Sequence, residues 1–466
     1  MAVSNPATLS SVISEAAASG LGTYDSLYDF RRNGPVLGDS ETTIGYGTEA
    51  SPLKLSQFNG FEFVQYFWFS ASGGSYKHPI AVDQNGKIHS AYQGGDPPSY
   101  YHYTATKNGA FEWGKYISNS SGYSVEDMTF DGSSAIYTTG GYSASSYGWI
   151  SKRDTSGNRS FLKQVEAVST DVSNVPVIAA STSNIYIGLD RTNTNTQSAV
   201  SLAKYNSSGT LQWFRNVSGE KIGISNICID SAENQYYVGY DYSGTGRGHM
   251  FKVNSSGTLQ WQKLLSIVSD LNLNGGCAYN NSEGALYASG GAGYVFKFDT
   301  NGNLVWQRKI GAGSWLGALT VGADGYIYAS GTGSATENAV VIKMDTSGNL
   351  IWQRNFTVNA RVGLDSNYSS VSADQIVVSG SNLYLSLQYS IFVPMVGYTS
   401  YATIVKLPTD GTRTGGVWNA SSYSWTTPSI TLSNGSRTLA TASPAVNSDI
   451  SGTDANYTQS ITKNSL

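Results

Sequence analysis

One short pattern recurs seven times along this 466-residue chain: a Lys followed within a few residues by a tight polar turn. Its clearest copies are Lys297-Phe-Asp-Thr-Asn-Gly302-Asn-Leu-Val-Trp306 and Lys343-Met-Asp-Thr-Ser-Gly348-Asn-Leu-Ile-Trp352. Further copies run from Lys204 to Trp213, Lys252 to Trp261, Lys152 to Phe161 and Lys107 to Trp113, with a degenerate one at Lys406-Leu-Pro-Thr-Asp-Gly411. Successive Lys positions lie 45, 52, 48, 45, 46 and 63 residues apart. A unit of that length cannot bury its apolar face alone and must stack on its neighbours.

A second periodic feature precedes each turn. His89, Tyr137, Tyr186, Tyr237, Tyr287, Tyr328 and Tyr384 each follow an apolar or aromatic residue, as in Gly325-Tyr-Ile-Tyr328. Before them comes another short apolar run ending in a polar turn, such as Ile227-Cys-Ile-Asp230. One unit therefore reads strand, turn, strand, longer loop, strand, Asx-Gly hairpin, strand, with the period-2 alternation of half-buried strands in Leu304-Val-Trp306. The pattern predicts an all-β fold, a seven-bladed β-propeller of four-stranded blades, from about residue 61 to about 415.

In each hairpin the Asx side chain accepts backbone N–H bonds and Gly supplies a positive φ. The aromatic residue that follows falls on the outer strand, where its ring can wedge against the next blade. Trp113, Phe161, Trp213, Trp261, Trp306 and Trp352 are the expected blade-docking residues; the seventh copy has no Trp at that spacing. Burying about 200 Å² of ring is worth several kcal/mol at about 25 cal/mol/Å². The aromatic segment Gly60–Phe69 is expected to close the ring as the outer strand of the last blade. The competing arrangement completes that blade with Thr412–Val417 and leaves 61–70 outside it.

Charged residues make up 13% of the chain, about half the usual share of a soluble domain, and the net charge is −4. With no basic block, nucleic acid is not an expected partner. No run approaches the roughly 18 apolar residues of a membrane span. The start, Met-Ala-Val-Ser-Asn-Pro, lacks the basic and apolar regions of a signal peptide, so synthesis in the cytoplasm without a cleaved signal is expected. Cys228 and Cys277 fall on the first strands of adjacent units and are expected to be buried free thiols.

Chemistry is sparsely marked. Of the four His (His78, His89, His102 and His249), His89 occupies a repeat position, which gives it a structural reading. The Asp299-Thr-Asn-Gly-Asn run departs from a calcium loop in the place of its Gly and lacks the twelfth-position Glu. No nucleophile elbow, phosphate loop or His-Glu-x-x-His helix occurs. The expectation is a non-enzyme with no catalytic residues, no metal and no cofactor.

The repeat resembles the quinoprotein-type propeller repeat, and more closely the Asp-x-x-Gly-Asn-x-x-Trp repeats of bacterial and phage surface propellers. The ends do not repeat. Leu55-Ser-Gln-Phe58-Asn-Gly60 resembles the Leu-Ser-x-Phe/Tyr-x-Gly segment of tailed-phage virion proteins of the marine and cyanobacterial type. Lys406-Leu-Pro-Thr-Asp-Gly411-Thr-Arg-Thr-Gly415 resembles a segment of the same kind of protein. These resemblances imply an N-terminal attachment module over 1–60, with Leu55, Phe58 and Gly60 in the attachment segment; the C-terminal extension over 416–466, rich in Ser, Thr, Ala and Asn, reads from its composition as an extended tail, short strands lying along the propeller, or a contact arm to a neighbouring subunit. The resemblances imply a structural component of a tail, baseplate, fibre or capsid. The implied partners are other virion proteins in an oligomeric particle, the location is the virion, and host-surface glycans are a further contact. A carbohydrate-binding propeller, using Tyr-rich loops such as Asp96–Tyr103 and Tyr142–Tyr147, is the alternative, with a quinoprotein-like enzyme third.

Overall fold

The computed structural model describes residues 66–69, 78–412 apart from short connecting segments, and isolated strands between 418 and 464. Seven antiparallel sheets follow one another, and six are built on four strands consecutive in sequence. Blade 1 contains Ile80–Val82, Ile88–Gly94, Ser99–Ala105 and Phe111–Ser118. Blades 2 to 6 repeat that meander and end in the outer strands Arg159–Glu166, Leu211–Ser218, Leu259–Leu265, Leu304–Ile310 and Leu350–Thr357. Neighbouring blades share buried clusters of Ile, Val, Leu and Tyr, from blades 1 and 2 around Trp149 to blades 5 and 6 around Leu316. The ring closes where Ile80, Val82 and Tyr103 of blade 1 pack with Tyr384 and Ile404 of blade 7. The molecule is a seven-bladed β-propeller.

Blade 7 is assembled from both ends of the repeat region. Its first three strands are Tyr368–Ser379, Asn382–Val393 and Gly397–Pro408, and its fourth is the N-terminal strand Tyr66–Phe69. Tyr66 stands opposite Val405 and Phe69 opposite Ala402. The strand-exchanged closure is thus the one observed, and no strand from beyond Thr412 takes the fourth place.

Six of the seven sheets carry a fifth strand, each supplied by the C-terminal segment. Trp418–Ala420 pairs with blade 6, Trp425–Thr426 with blade 5, Leu432–Asn434 with blade 4 and Thr438–Thr441 with blade 3. Ala455–Asn456 then pairs with blade 1 and Thr462–Asn464 with Tyr66–Phe69 in blade 7. The chain retraces its own ring in reverse order, along the rim. Its pairing starts at equivalent places: Arg354, Lys263, Arg215 and Lys115 each lie two residues beyond their blade's Trp. Outer strands otherwise present unpaired N–H and C=O groups that invite association, and these short strands satisfy part of each edge.

Register corrects two readings of the repeat. In blade 4 the residue opposite Lys252 is Tyr236, whose hydroxyl donates to Asp230, while Tyr237 stands opposite Phe251. In blade 1 the residue opposite both His89 and Trp113 is Thr104, so Thr104 and not Lys107 holds the Lys position of the repeat. The two Cys are free: Cys228, partly buried, is on the first strand of blade 4 and Cys277, buried, on that of blade 5.

Candidate functional site: the inter-blade docking constellation

Among the described residues, one arrangement of polar and aromatic side chains recurs where one blade meets the next. In blades 1 to 6 the ladder between the third and fourth strands slips by one residue beside the Lys position, as between Lys297 and Phe298. This bulge leaves Lys297 opposite Trp306 and Phe298 opposite Leu304, with Val305 as the extra residue. Val305 and Ile351, in equivalent places, are 54% and 49% exposed, whereas the Trp ring is aimed at the next blade.

Each ring lies against the Gly of the following hairpin. A Cβ on Gly302 would sit 3.0 Å from Trp261, one on Gly348 3.0 Å from Trp306, and one on Gly157 2.9 Å from Trp113. Gly209 meets Phe161, Gly257 meets Trp213 and Gly411 meets Trp352 in the same way. Positive φ and close approach of a ring therefore both require Gly at these turns.

Hydrogen bonds complete the dock. Trp306 Nε1 and Lys297 Nζ both donate to the carbonyl of Thr346, each at 2.9 Å. Trp213 and Lys204 converge likewise on Ser255, and Trp352 and Lys343 on Thr409. Blade 1 keeps only the Trp113 donor, to Thr155, and blade 2 only Lys152, to Ser207, because Phe161 has no N–H. Over the exposed face of the ring lies an Arg: Arg308 stands 5.4 Å from the Trp306 centroid and its Nε donates to Gly348 O at 2.8 Å. Arg215 repeats this over Trp213 with Nε donating to Gly257 O, and Arg354 lies over Trp352 with Nη2 donating to Gly411 O.

A carboxylate from the first turn of a blade completes the set. Glu283 accepts from Tyr287 Oη and Lys297 Nζ, and Asp324 accepts from Tyr328 Oη and Lys343 Nζ. Glu233 of blade 4 instead reaches back to blade 3, accepting from Ser181, Asn184, Tyr186 and Lys204, and does so from a left-handed backbone with φ 60. Burial raises the Glu283 carboxyl, but the Tyr287 hydroxyl and Lys297 outweigh it and hold the group below its ordinary range. Burial, aided by the Glu283 contact, pushes the Tyr287 phenol up. An ionised carboxylate thus accepts from a neutral phenol and an ammonium, a charge-assisted pairing at the blade edge.

Blade 1 replaces this network with a histidine cluster. His89 Nδ1 lies 2.8 Å from Thr104 Oγ1 and its Nε2 lies 3.5 Å from Asp83 Oδ2. The order of bonds is that of a hydroxyl–imidazole–carboxylate relay, and Asp83, His89 and Thr104 are 2%, 0% and 0% exposed, closed off from solvent inside the blade. His102 packs edge-on to His89 and over Trp113, with Nδ1 3.2 Å from Tyr100 Oη. Burial lowers the pKa of both imidazoles and keeps them neutral. His78, stacked on Tyr92, is lowered by burial to about 4.

Among the described residues no group of three or more His, Cys, Asp or Glu is placed to hold a metal ion. Of the Tyr-rich run singled out for glycan contact, Tyr100 and Tyr103 are fully buried. Leu55, Phe58 and Gly60 lie outside the described residues. The Arg two residues after Trp213, Trp306 and Trp352 and the first-turn carboxylates are the docking residues that sequence reasoning missed. Trp-x-Arg at Trp213, Trp306 and Trp352 was the available signal for the Arg.

No family model matches the chain, and no curated protein matches it. Among solved structures it is similar to the WD40 β-propeller domain of Doa1, over 73% of this chain and 97% of that one, at 10% identity and a TM-score of 0.44. The propeller assignment rests on the seven sheets and their closure.

Proposed function

We propose that this chain is a non-enzymatic structural component of a tailed-phage virion, in which residues 1–60 attach a β-propeller exposed for subunit packing or host-surface contact. The observation that supports this most directly is the treatment of the rim. Six of seven outer strands are covered by the chain's own C-terminal segment. Open sheet edges are most hazardous where many copies are crowded together, as they are on a particle. A rim capped in this way suits dense, ordered display.

The docking constellation supports the same reading from another side. The Lys, Trp, Arg and carboxylate groups at the tight-turn end are engaged in holding blades together. Contacts to partners then fall to the non-repeating ends, whose segments at 55–60 and 406–415 resemble those of virion proteins. The partners in this reading are other virion proteins, with the protein oligomeric in the particle and no cofactor.

The test is deletion of residues 1–60 in the intact phage background. The expected result is a folded propeller, by circular dichroism and an unchanged melting temperature, that is absent from purified particles. Incorporation at the normal level overturns the attachment reading.

A further inference from the structure

Six junctions of the ring, from blade 1 onto blade 2 through blade 6 onto blade 7, are docked by an aromatic ring on a hairpin Gly. The seventh is closed by Tyr66–Phe69 instead, and this four-residue strand is held on both sides. Val405 faces Tyr66 from blade 7's third strand, and Asn464 faces it from the other side. Trp68 stands between Thr403 and Thr462 in the same manner. Thr462–Asn464 has no other neighbour in that sheet: the order places it outermost, beyond Tyr66–Phe69.

This order makes the two pairings dependent on each other. The last rim strand has nothing to pair with until Tyr66–Phe69 has entered beside Gly397–Pro408. Without the last rim strand, Tyr66–Phe69 is a very short edge strand, the kind of element that frays. Rim pairing also runs in one direction, from blade 6 back through blades 5, 4, 3 and 1, and finishes on this strand.

We infer that Thr462–Asn464 is a latch on ring closure: it holds the N-terminal closing strand in its slot and couples the two ends of the chain. Coupling between two elements is reciprocal, so disturbing either one releases the other. The inference concerns this chain's own closure and stands whether or not the propeller belongs to a virion.

Amide hydrogen exchange on the full chain and on three variants tests it. Ending the chain at Ile461 is expected to speed exchange at Tyr66–Phe69 at least tenfold, with Leu211–Ser218 and Leu350–Thr357 staying within twofold. Lys463→Pro in the full-length chain disrupts the same strand without shortening the protein and is expected to give the same selective loss. In the reverse direction, Phe67→Pro is expected to release Thr462–Asn464 tenfold while Thr438–Thr441 keeps its protection. Tyr66–Phe69 remaining within twofold of the full chain, or a loss spread evenly over all blades in both C-terminal variants, overturns the latch.

Discussion

Lys297 and Trp306 stand directly opposite each other on adjacent strands and donate to one carbonyl oxygen, that of Thr346 in the next blade. Directly opposite residues of an antiparallel pair point to the same face of the sheet, and this brings both side chains to that acceptor. Their contributions are therefore coupled. Trp306→Phe removes the N–H and keeps the ring, and is expected to cost about 1 kcal/mol. Trp306→Ala removes the wedge and is expected to cost about 3–5 kcal/mol. In urea unfolding, Trp306→Phe combined with Lys297→Met should be non-additive by about 0.5 kcal/mol or more, and strict additivity would contradict the shared acceptor.

Gly348 and Gly325 separate backbone strain from docking. Both have strongly positive φ, 80 and 79, but a Cβ on Gly348 meets Trp306 at 3.0 Å whereas one on Gly325 meets nothing within 4 Å. Gly325→Ala should show only the conformational cost of about 1 kcal/mol. Gly348→Ala should exceed it by a further 1 kcal/mol or so, as the ring is displaced. Equal melting-temperature losses in the two variants would mean that the ring–Gly contact contributes nothing.

Blade 2 offers the complementary gain. Lys152 donates alone to Ser207 O at 2.7 Å because Phe161 lacks a donor. Phe161→Trp adds an indole N–H at the position where blades 1, 3, 4, 5 and 6 carry one. The expected stabilisation is about 0.5–1 kcal/mol in denaturant unfolding. A loss of stability would show that the hairpin at Gly209 is shaped to the smaller ring.

Acid should loosen blade 1 through its buried imidazoles. The folded pKa of His78 is lowered from 6.5 to about 4, so the unfolded chain takes up the proton first as pH falls. The stability from a neutral His78 is thus fully present above pH 6.5 and is lost between there and about pH 4. At about 1.4 kcal/mol per pH unit, this single group is worth up to about 3 kcal/mol across that window. His89 and His102 act in the same direction. His78→Phe, which can keep the stack on Tyr92, should flatten the dependence of unfolding free energy on pH between 6.5 and 4. An unchanged slope would assign the acid sensitivity elsewhere.

The blade plan was readable because its signals are local. Asp299, Gly302 and Trp306 lie within eight residues and each has a steric or hydrogen-bonding reason to be there. What escaped reading depends on register across strands. Tyr236 and Tyr237 are adjacent and chemically identical, and only the pairing with Lys252 distinguishes them. Lys107 lies close to its turn, yet the bulge selects Thr104. Glu233 sits in a turn, and its reach into blade 3 depends on a left-handed backbone that sequence does not announce. The rim strands escaped detail because they show little apolar periodicity. Strands joined to an edge through backbone bonds need no such pattern.

The dock has a direction: Trp and Lys of one blade enter the hairpin of the following blade, never the reverse. Such a head-to-tail contact closes into a ring only if the turn per unit divides a full circle. Nothing in a Trp, a Lys and a Gly specifies how many units there are. A blade copied or deleted in the middle of the array would find compatible neighbours on both sides, and the docking chemistry would not register the change. The count of seven must be kept by the packing of the inner strands and by the geometry of the closing strand. Evolution can then renew individual blades freely, while the two chain ends bear the selection for size.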